Sequence, residues 1–292
     1  MSKEALYAHL ATGHTHVCQC WKITRRDGTV FGFTDHDRPL EFGGVTFVAE
    51  SGMSAKALSA GTGLAVDNSE ALGLLQSEVI SEADIMAGRY DGAEVRTWLV
   101  RWDNVAHRVL RFVGTVGEIT RDQGRFRVEL RGLSDQLNQP QGRSFLRSCS
   151  AVLGDSACGV DASDPLFAVR VPVEKVTDGR VVTVTAGAYV DRWFEQGVLE
   201  VMTGEAKGLT AAIKHDQKAG ARRLVDLWDA LRAPLKVGDD VRLLAGCDKR
   251  AETCRVKFDN LVNFRGFPHI PGEDWLMAVP RSGEGADTER LG

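Results

Sequence analysis

Four cysteines, arranged as two pairs far apart in the chain, constrain this fold more than any other feature. Eight residues separate Cys149 from Cys158, and six separate Cys247 from Cys254. All four thiols meet only if the long segment between the pairs folds with its two ends close together. Closing such a loop is feasible, because the entropic cost rises only with the logarithm of loop length.

The spacing alone leaves four states of these cysteines open. In the first state the cysteines are free and packed in a core. The neighbouring stretches "LGDSA" and "KRAET" are polar, however, which is unusual for core packing. Two local disulfides are another, but a helical "CDKRAETC" would hold its end Cα atoms about 10 Å apart, beyond the roughly 7 Å limit. Zinc usually takes tighter Cys-x(2–4)-Cys knuckles. An iron–sulfur cubane gives each cysteine its own iron and suits wide spacing best.

Composition and charge exclude some classes of function. The chain has 292 residues, with 36 basic and 40 acidic side chains and a net charge of -4, which gives no electrostatic reason for tight nucleic-acid or lipid binding. No apolar run approaches the roughly 20 residues of a membrane helix. The start has no secretory signal pattern, so we expect synthesis in a reducing cytoplasm.

The hydrophobic pattern predicts a mainly β (α+β) fold. An antiparallel β-rich domain with short helices is expected over 1–140. Its hairpin turns are predicted at Asp27-Gly28 and Gly43-Gly44, and a short helix is predicted after a Ser81 cap. "LSDQLNQ" indicates another brief helix.

The second half of the chain divides into three further parts. Short strands with regularly spaced glycine turns predict a small β-rich inserted domain over 166–245. The cysteine-bearing subdomain is then made of two pieces, 141–165 and 246–282. The polar end, 283–292, is predicted to be a flexible tail.

Other conspicuous side chains favour structural roles. His14, His16, Cys18 and Cys20 share one strand face, but same-face neighbours lie about 6.7 Å apart, too far for four ligands to share one ion. A partly buried strand face is therefore predicted there.

The segment "FRGFPHIPG" combines aromatic residues with backbone constraint. It is predicted to shield the cysteine site, with Phe264 and Phe267 excluding water and His269 donating a hydrogen bond nearby. No nucleophile with an ordered base stands out, so the sequence predicts no catalytic residues and no enzyme activity.

The cysteine spacings, followed by "FDNLVNFRGFPHIPGED", are similar to the C-terminal part of the tail-tip hub proteins of long-tailed phages. "FGFTDHDRPLEFGGVTF" and "RFVGTVGEI" resemble the hub proteins of phage-like gene transfer agents. The resemblance covers nearly the whole chain. It implies a [4Fe–4S] cluster held by Cys149, Cys158, Cys247 and Cys254, with zinc as the alternative metal.

The resemblance also implies a function and partners. The chain is expected to be a structural hub subunit of a virion tail baseplate, with 1–140 as the hub domain, forming a homotrimer that links the distal tail protein to the tip or fibre protein. A cell-wall peptidase of the same particle and the host envelope at delivery are further expected contacts, and DNA would only pass through the channel. The alternatives are a cytoplasmic metal- or redox-dependent enzyme and a zinc-stabilised interaction module.

Overall fold

A computed structural model of the chain describes residues 3–49, 68–69, 80–122, 125–132, 142 and 145–270. This part is mainly β, with antiparallel sheets and few helices, as the sequence predicts. The helix expected at 133–139 and the tail at 283–292 lie outside the described residues. Within the described ranges, no helix is long and apolar enough to cross a membrane.

The N-terminal part forms a six-stranded antiparallel sheet and a separate hairpin. The sheet order is β2-β1-β6-β7-β8-β5, and β3 pairs with β4 in the hairpin. The strands are β1 (Val17–Thr24), β2 (Val30–Thr34), β3 (Leu40–Phe42), β4 (Val45–Phe47), β5 (Asn68–Ser69), β6 (Glu94–Arg101), β7 (Arg108–Asp122) and β8 (Arg125–Gly132). The turn between β1 and β2 contains Gly28 at φ +85°, a conformation that favours glycine, which explains the predicted hairpin at this position.

Within the described residues, two short helices accompany this sheet. Helix α1 spans Lys3–Leu10, and α2 spans Glu82–Met86 directly after Ser81. The helix was expected at this place, but the role given to the Ser81 side chain is wrong, since it makes no capping hydrogen bond. The Ser81 carbonyl instead accepts the N–H of Ile85 at 3.2 Å, a backbone hydrogen bond that closes the first helical turn.

The following strands close into a six-stranded barrel in the order β10-β13-β12-β11-β14-β9. They are β9 (Ala168–Thr177), β10 (Val181–Thr185), β11 (Val198–Val201), β12 (Thr210–Ala219), β13 (Arg222–Leu227) and β14 (Asp240–Leu244). Alternate side chains point inward and build an apolar core, for example Val241 and Leu243 of β14. All six strands lie inside the range predicted for the inserted domain, 166–245.

The barrel's first and last strands are neighbours, which places the chain segments before and after the barrel next to each other. β9 pairs with β14, with Ala168 opposite Leu244, and the Ala245 N–H donates to the Phe167 carbonyl at 2.7 Å. The chain therefore enters and leaves the barrel at one point. Segments before 168 and after 244 are brought side by side, and helix α3 (Ala251–Phe258) follows shortly after the exit.

Candidate metal centre

All four predicted cysteines of the two distant pairs line one small cavity beside the point where the chain enters and leaves the barrel. The cavity has a volume of about 20 Å³. This is little more than the roughly 10–15 Å³ that one water requires. Its lining includes Cys149, Cys158, Cys247 and Cys254, together with apolar side chains such as Leu153 and Phe264.

The upstream pair is held by backbone hydrogen bonds and by one carboxylate. The Cys149 N–H donates to the Lys249 carbonyl at 2.9 Å, which links the first pair to the segment between the second pair. The Asp155 carboxylate accepts N–H groups from Val152 at 2.8 Å and from Cys158 at 2.7 Å. These bonds lower the pKa of Asp155 and fix the turn that carries Cys158.

Cys247 is placed by the end of the barrel. It follows Gly246, whose N–H donates to the Trp193 carbonyl at 3.1 Å. A Cβ at Gly246 would lie 1.6 Å from the Glu195 carbonyl oxygen, so only glycine fits this approach. Two residues before the helix, Lys249 adopts φ +65°, which turns the chain from the barrel into α3.

Cys254 lies on the inner face of α3. Its side chain is buried. The helix ends at Phe258 and is capped by Asp259, which is left-handed at φ 45°, and the Asn260 N–H donates back to the Cys254 carbonyl at 3.0 Å. From the same helix, the Lys257 ammonium donates to the carbonyls of Trp193 at 2.5 Å and Gly246 at 2.8 Å, which ties α3 to the barrel.

Two N–H groups point at the cysteine sulfurs. The Arg265 backbone N–H donates to Cys149 Sγ at 3.4 Å. The Asn260 side-chain amide lies 3.7 Å from Cys158 Sγ and donates to the Cys158 carbonyl at 2.7 Å. Hydrogen bonds from N–H groups stabilise negative charge on sulfur, and so favour the thiolate form that metals bind.

The thiols also influence one another electrostatically. The pKa of the Cys254 thiol is raised, first by burial and then by Cys149, Cys247 and Cys158. Each neighbouring thiolate makes a further negative charge less favourable. A bound cation would reverse this, because it stabilises all four thiolates together.

The predicted shielding segment is only partly at the cavity. Phe264 lines it, as expected for a residue that excludes water. The Phe267 ring lies 5.0 Å from that of Phe145, outside the cavity lining. His269 is exposed and also outside the lining, so the hydrogen-bonding role predicted for it finds no support in its position.

Two further polar residues shape the site and were not singled out from the sequence. Asp155 and Asn260 both bond to Cys158 from different segments. Asp259, directly before Asn260, adopts a left-handed backbone conformation that no sequence pattern predicted. The Asp in "LGDSAC" could have been found as an Asx turn, in which a carboxylate accepts nearby backbone N–H groups.

The donor set restricts what this site can hold. Soft thiolates select zinc, copper(I) or iron–sulfur clusters. None of the six cysteines, all within the described residues, is in a disulfide. Among those residues, no three His, Cys, Asp or Glu side chains are grouped so that they could hold one metal ion.

Cys18 and Cys20 do not line this cavity. Both are buried in a small apolar core with Leu40, Phe47 and Val100. The Cys20 thiol donates to Thr34 Oγ1 at 3.5 Å. Cys18 and Cys20 are core residues of β1, as predicted. His14 and His16, which were expected on the same strand face, precede the strand and are exposed, so that part of the prediction is wrong.

Comparison with known proteins places the chain among virion proteins. The family described as "Baseplate hub protein, N-terminal attachment domain" matches residues 3–161, and "Phage conserved hypothetical protein BR0599" matches residues 192–274. A chain of the solved structure "Virion of native gene transfer agent (GTA) particle" is 49% identical, with a TM-score of 0.88, over 97% of this chain and 98% of that chain. No curated protein matches.

Proposed function

The chain belongs to the family of phage baseplate hub proteins, and on that premise we propose that it is a structural hub subunit carrying a [4Fe–4S] cluster. It is a virion protein of the tail baseplate in a phage-like gene transfer agent particle, the kind of particle that contains its 49% identical relative. The role is structural, and no catalytic residues are assigned.

One observation carries the cluster assignment. Four thiols from two stretches far apart in the chain line a single small cavity, with N–H groups directed at two of the sulfurs. Cys149, Cys158, Cys247 and Cys254 would each bind one iron, leaving no position for substrate. When bound, the cluster supplies four strong metal–sulfur bonds between these segments.

The protein's own residues prepare the site for that group. Asp155 fixes the turn of Cys158, while Lys257 holds α3 against the barrel exit. The cluster would then act as a staple across the two connections of the barrel, and its binding free energy would add to the free energy of folding. A closed, fully ligated site leaves no open position for a substrate, and it therefore suits a structural role in a virion.

The proposed hub is a trimer. Three copies would surround the tail axis, consistent with the closed rotational symmetry that homo-oligomers use. The N-terminal sheet domain would form the ring between the distal tail protein and the tip or fibre protein. The description of the matching family as an attachment domain supports this assignment. A cell-wall peptidase of the particle and the host envelope are the further contacts, and the net charge of -4 fits DNA passing through rather than bound tightly.

Anaerobic purification of the full chain tests the cofactor directly. We expect a brown protein with broad visible absorbance and about four iron and four sulfide per chain. One zinc per chain without iron would instead support the interaction module, and a chain free of both metals would overturn the proposed site. Native mass spectrometry of the same sample tests the trimer, which a purely monomeric chain at high concentration would contradict.

A further inference from the structure

Asn260 contacts both halves of the cysteine site, although its two cysteine partners are far apart in sequence. Its backbone N–H donates to the Cys254 carbonyl at 3.0 Å, and its carbonyl accepts from the Cys254 thiol at 3.3 Å. Its side-chain Nδ2 donates to the Cys158 carbonyl at 2.7 Å and lies 3.7 Å from Cys158 Sγ. The residue lines the cavity itself.

The orientation of the Asn260 amide is fixed by a neighbour. Asn263 Nδ2 donates to Asn260 Oδ1 at 2.7 Å, so the oxygen is engaged and the nitrogen faces Cys158. Gly159 makes room for this arrangement, since a Cβ there would lie 3.3 Å from Asn263 Nδ2 and the glycine has φ +72°. The side chain is therefore held in one orientation from both sides.

We propose that Asn260 is the positioning residue that aligns the two cysteine pairs, and that its side-chain N–H donates to the sulfur of Cys158 in the metal-bound site. This inference rests on the proposed cluster, and it identifies Asn260 as the residue that adjusts the reduction potential of the cluster. A hydrogen bond to a ligating sulfur stabilises the more negative, reduced state, and so raises the reduction potential. Asn260 thus affects both iron retention and the electronic properties of the site.

Asn260→Asp is the sharpest test, because it keeps the shape and removes the donor. The introduced oxygen faces the Cys158 carbonyl and sulfur, which both repel it. We expect a several-fold loss of iron on anaerobic gel filtration. In the fraction that keeps the cluster, we expect a shift of the reduction potential to more negative values in spectroelectrochemical titration.

Two further variants separate tuning from folding. Asn263→Ala removes the bond that orients Asn260 without adding charge, and a smaller shift in the same direction is expected. Asn104→Asp makes the same chemical change in the β6–β7 turn, where Oδ1 accepts the Ala106 N–H at 3.2 Å and aspartate can replace it. This control should hold iron and potential at the wild-type values.

These measurements separate the role of Asn260 from the presence of the cluster. Should Asn260→Asp fail to fold, the potential of Asn263→Ala decides. Wild-type iron content and potential in the two site variants would overturn the role of Asn260 while leaving the cluster in place. A wild-type chain that purifies without iron and sulfide would overturn both.

Discussion

Arg223 and Asp216 form a fully buried ion pair inside the barrel, with Nε 2.8 Å from Oδ1 and both side chains at 0% exposure. Arg223 Nη2 also donates to Asp216 Oδ2 at 2.9 Å, and the remaining N–H groups of Arg223 donate to the carbonyls of Ala186, Tyr189 and Val190. Asp216 also accepts the Phe194 N–H at 2.8 Å. The pair therefore fixes the loop that presents Trp193 to Lys257 of α3.

Asp216→Asn should destabilise the protein strongly, because it leaves the Arg223 charge buried without its counter-charge. Breaking such a pair from one side costs about 3–5 kcal/mol. Asp240→Asn is the matched control, since it breaks the exposed pair with Arg170, where the cost is about 1 kcal/mol or less. Urea unfolding of both variants measures the difference, and similar losses for the two would show that burial is not the cause.

Cys254→Ser should abolish the proposed cluster and impair assembly. Losing one thiolate leaves one iron without its ligand, and the staple across the barrel connections opens. We expect iron to fall to well under half of wild type, with fewer complete particles when the variant replaces the native protein. Cys18→Ser, in the separate β1 core, should cost stability yet keep the iron. A Cys254→Ser chain that assembles normally would contradict the structural role.

The sequence predicted local features of this fold better than the long-range ones. The hairpin at Gly28 could be predicted from the residues of the turn itself, because the turn depends on a backbone conformation that glycine favours. An inserted domain over 166–245 requires its two ends to lie close together, but the specific pairing of β9 with β14 could not be predicted, since it depends on strands distant in sequence. That pairing is nevertheless what brings the two cysteine pairs together.

The same distinction holds at the candidate site. The four cysteines were found from residue type and spacing. Asn260 was missed because its significance comes from contacts with two distant segments. His269 was expected near the thiols, but the Phe267 N–H bonds the Leu146 carbonyl at 2.8 Å, and its ring packs on Phe145. These contacts anchor the chain just before His269, which is exposed.

Lys257 should make stability depend on pH in the alkaline range. Burial lowers its pKa to about 8, whereas an unfolded lysine titrates near about 10.4. Between these values the unfolded state binds more protons, so the free energy of unfolding rises with pH. The burial penalty is fully present below about pH 8 and is relieved towards pH 10.

A variant pair isolates this effect. Relative to Lys257→Met, wild type should gain about 1–2 kcal/mol across that window, allowing for partial solvent screening. Unfolding of both proteins in the same metal state, at about pH 7.5 and about pH 10, gives the difference. Lys218→Met removes an exposed ammonium that also donates to two carbonyls, and is the control for the loss of such hydrogen bonds. A difference that moves against wild type with rising pH would contradict the stated cause.

Gly246→Ala should damage the proposed metal site through the barrel exit. The added Cβ would lie 1.6 Å from the Glu195 carbonyl oxygen, and backbone atoms cannot move aside as a flexible side chain can. Relieving the clash must displace either the Glu195 loop or the segment that carries Cys247, at a cost of about 1–3 kcal/mol. Gly220→Ala, where φ is +66° and no atom lies within 4 Å, adds only backbone strain of about 1–2 kcal/mol. Iron content separates the two variants, because displacement of Cys247 lowers it and strain in the distant β12–β13 turn does not. Equal iron content in both variants and wild type would mean that the barrel exit does not position Cys247.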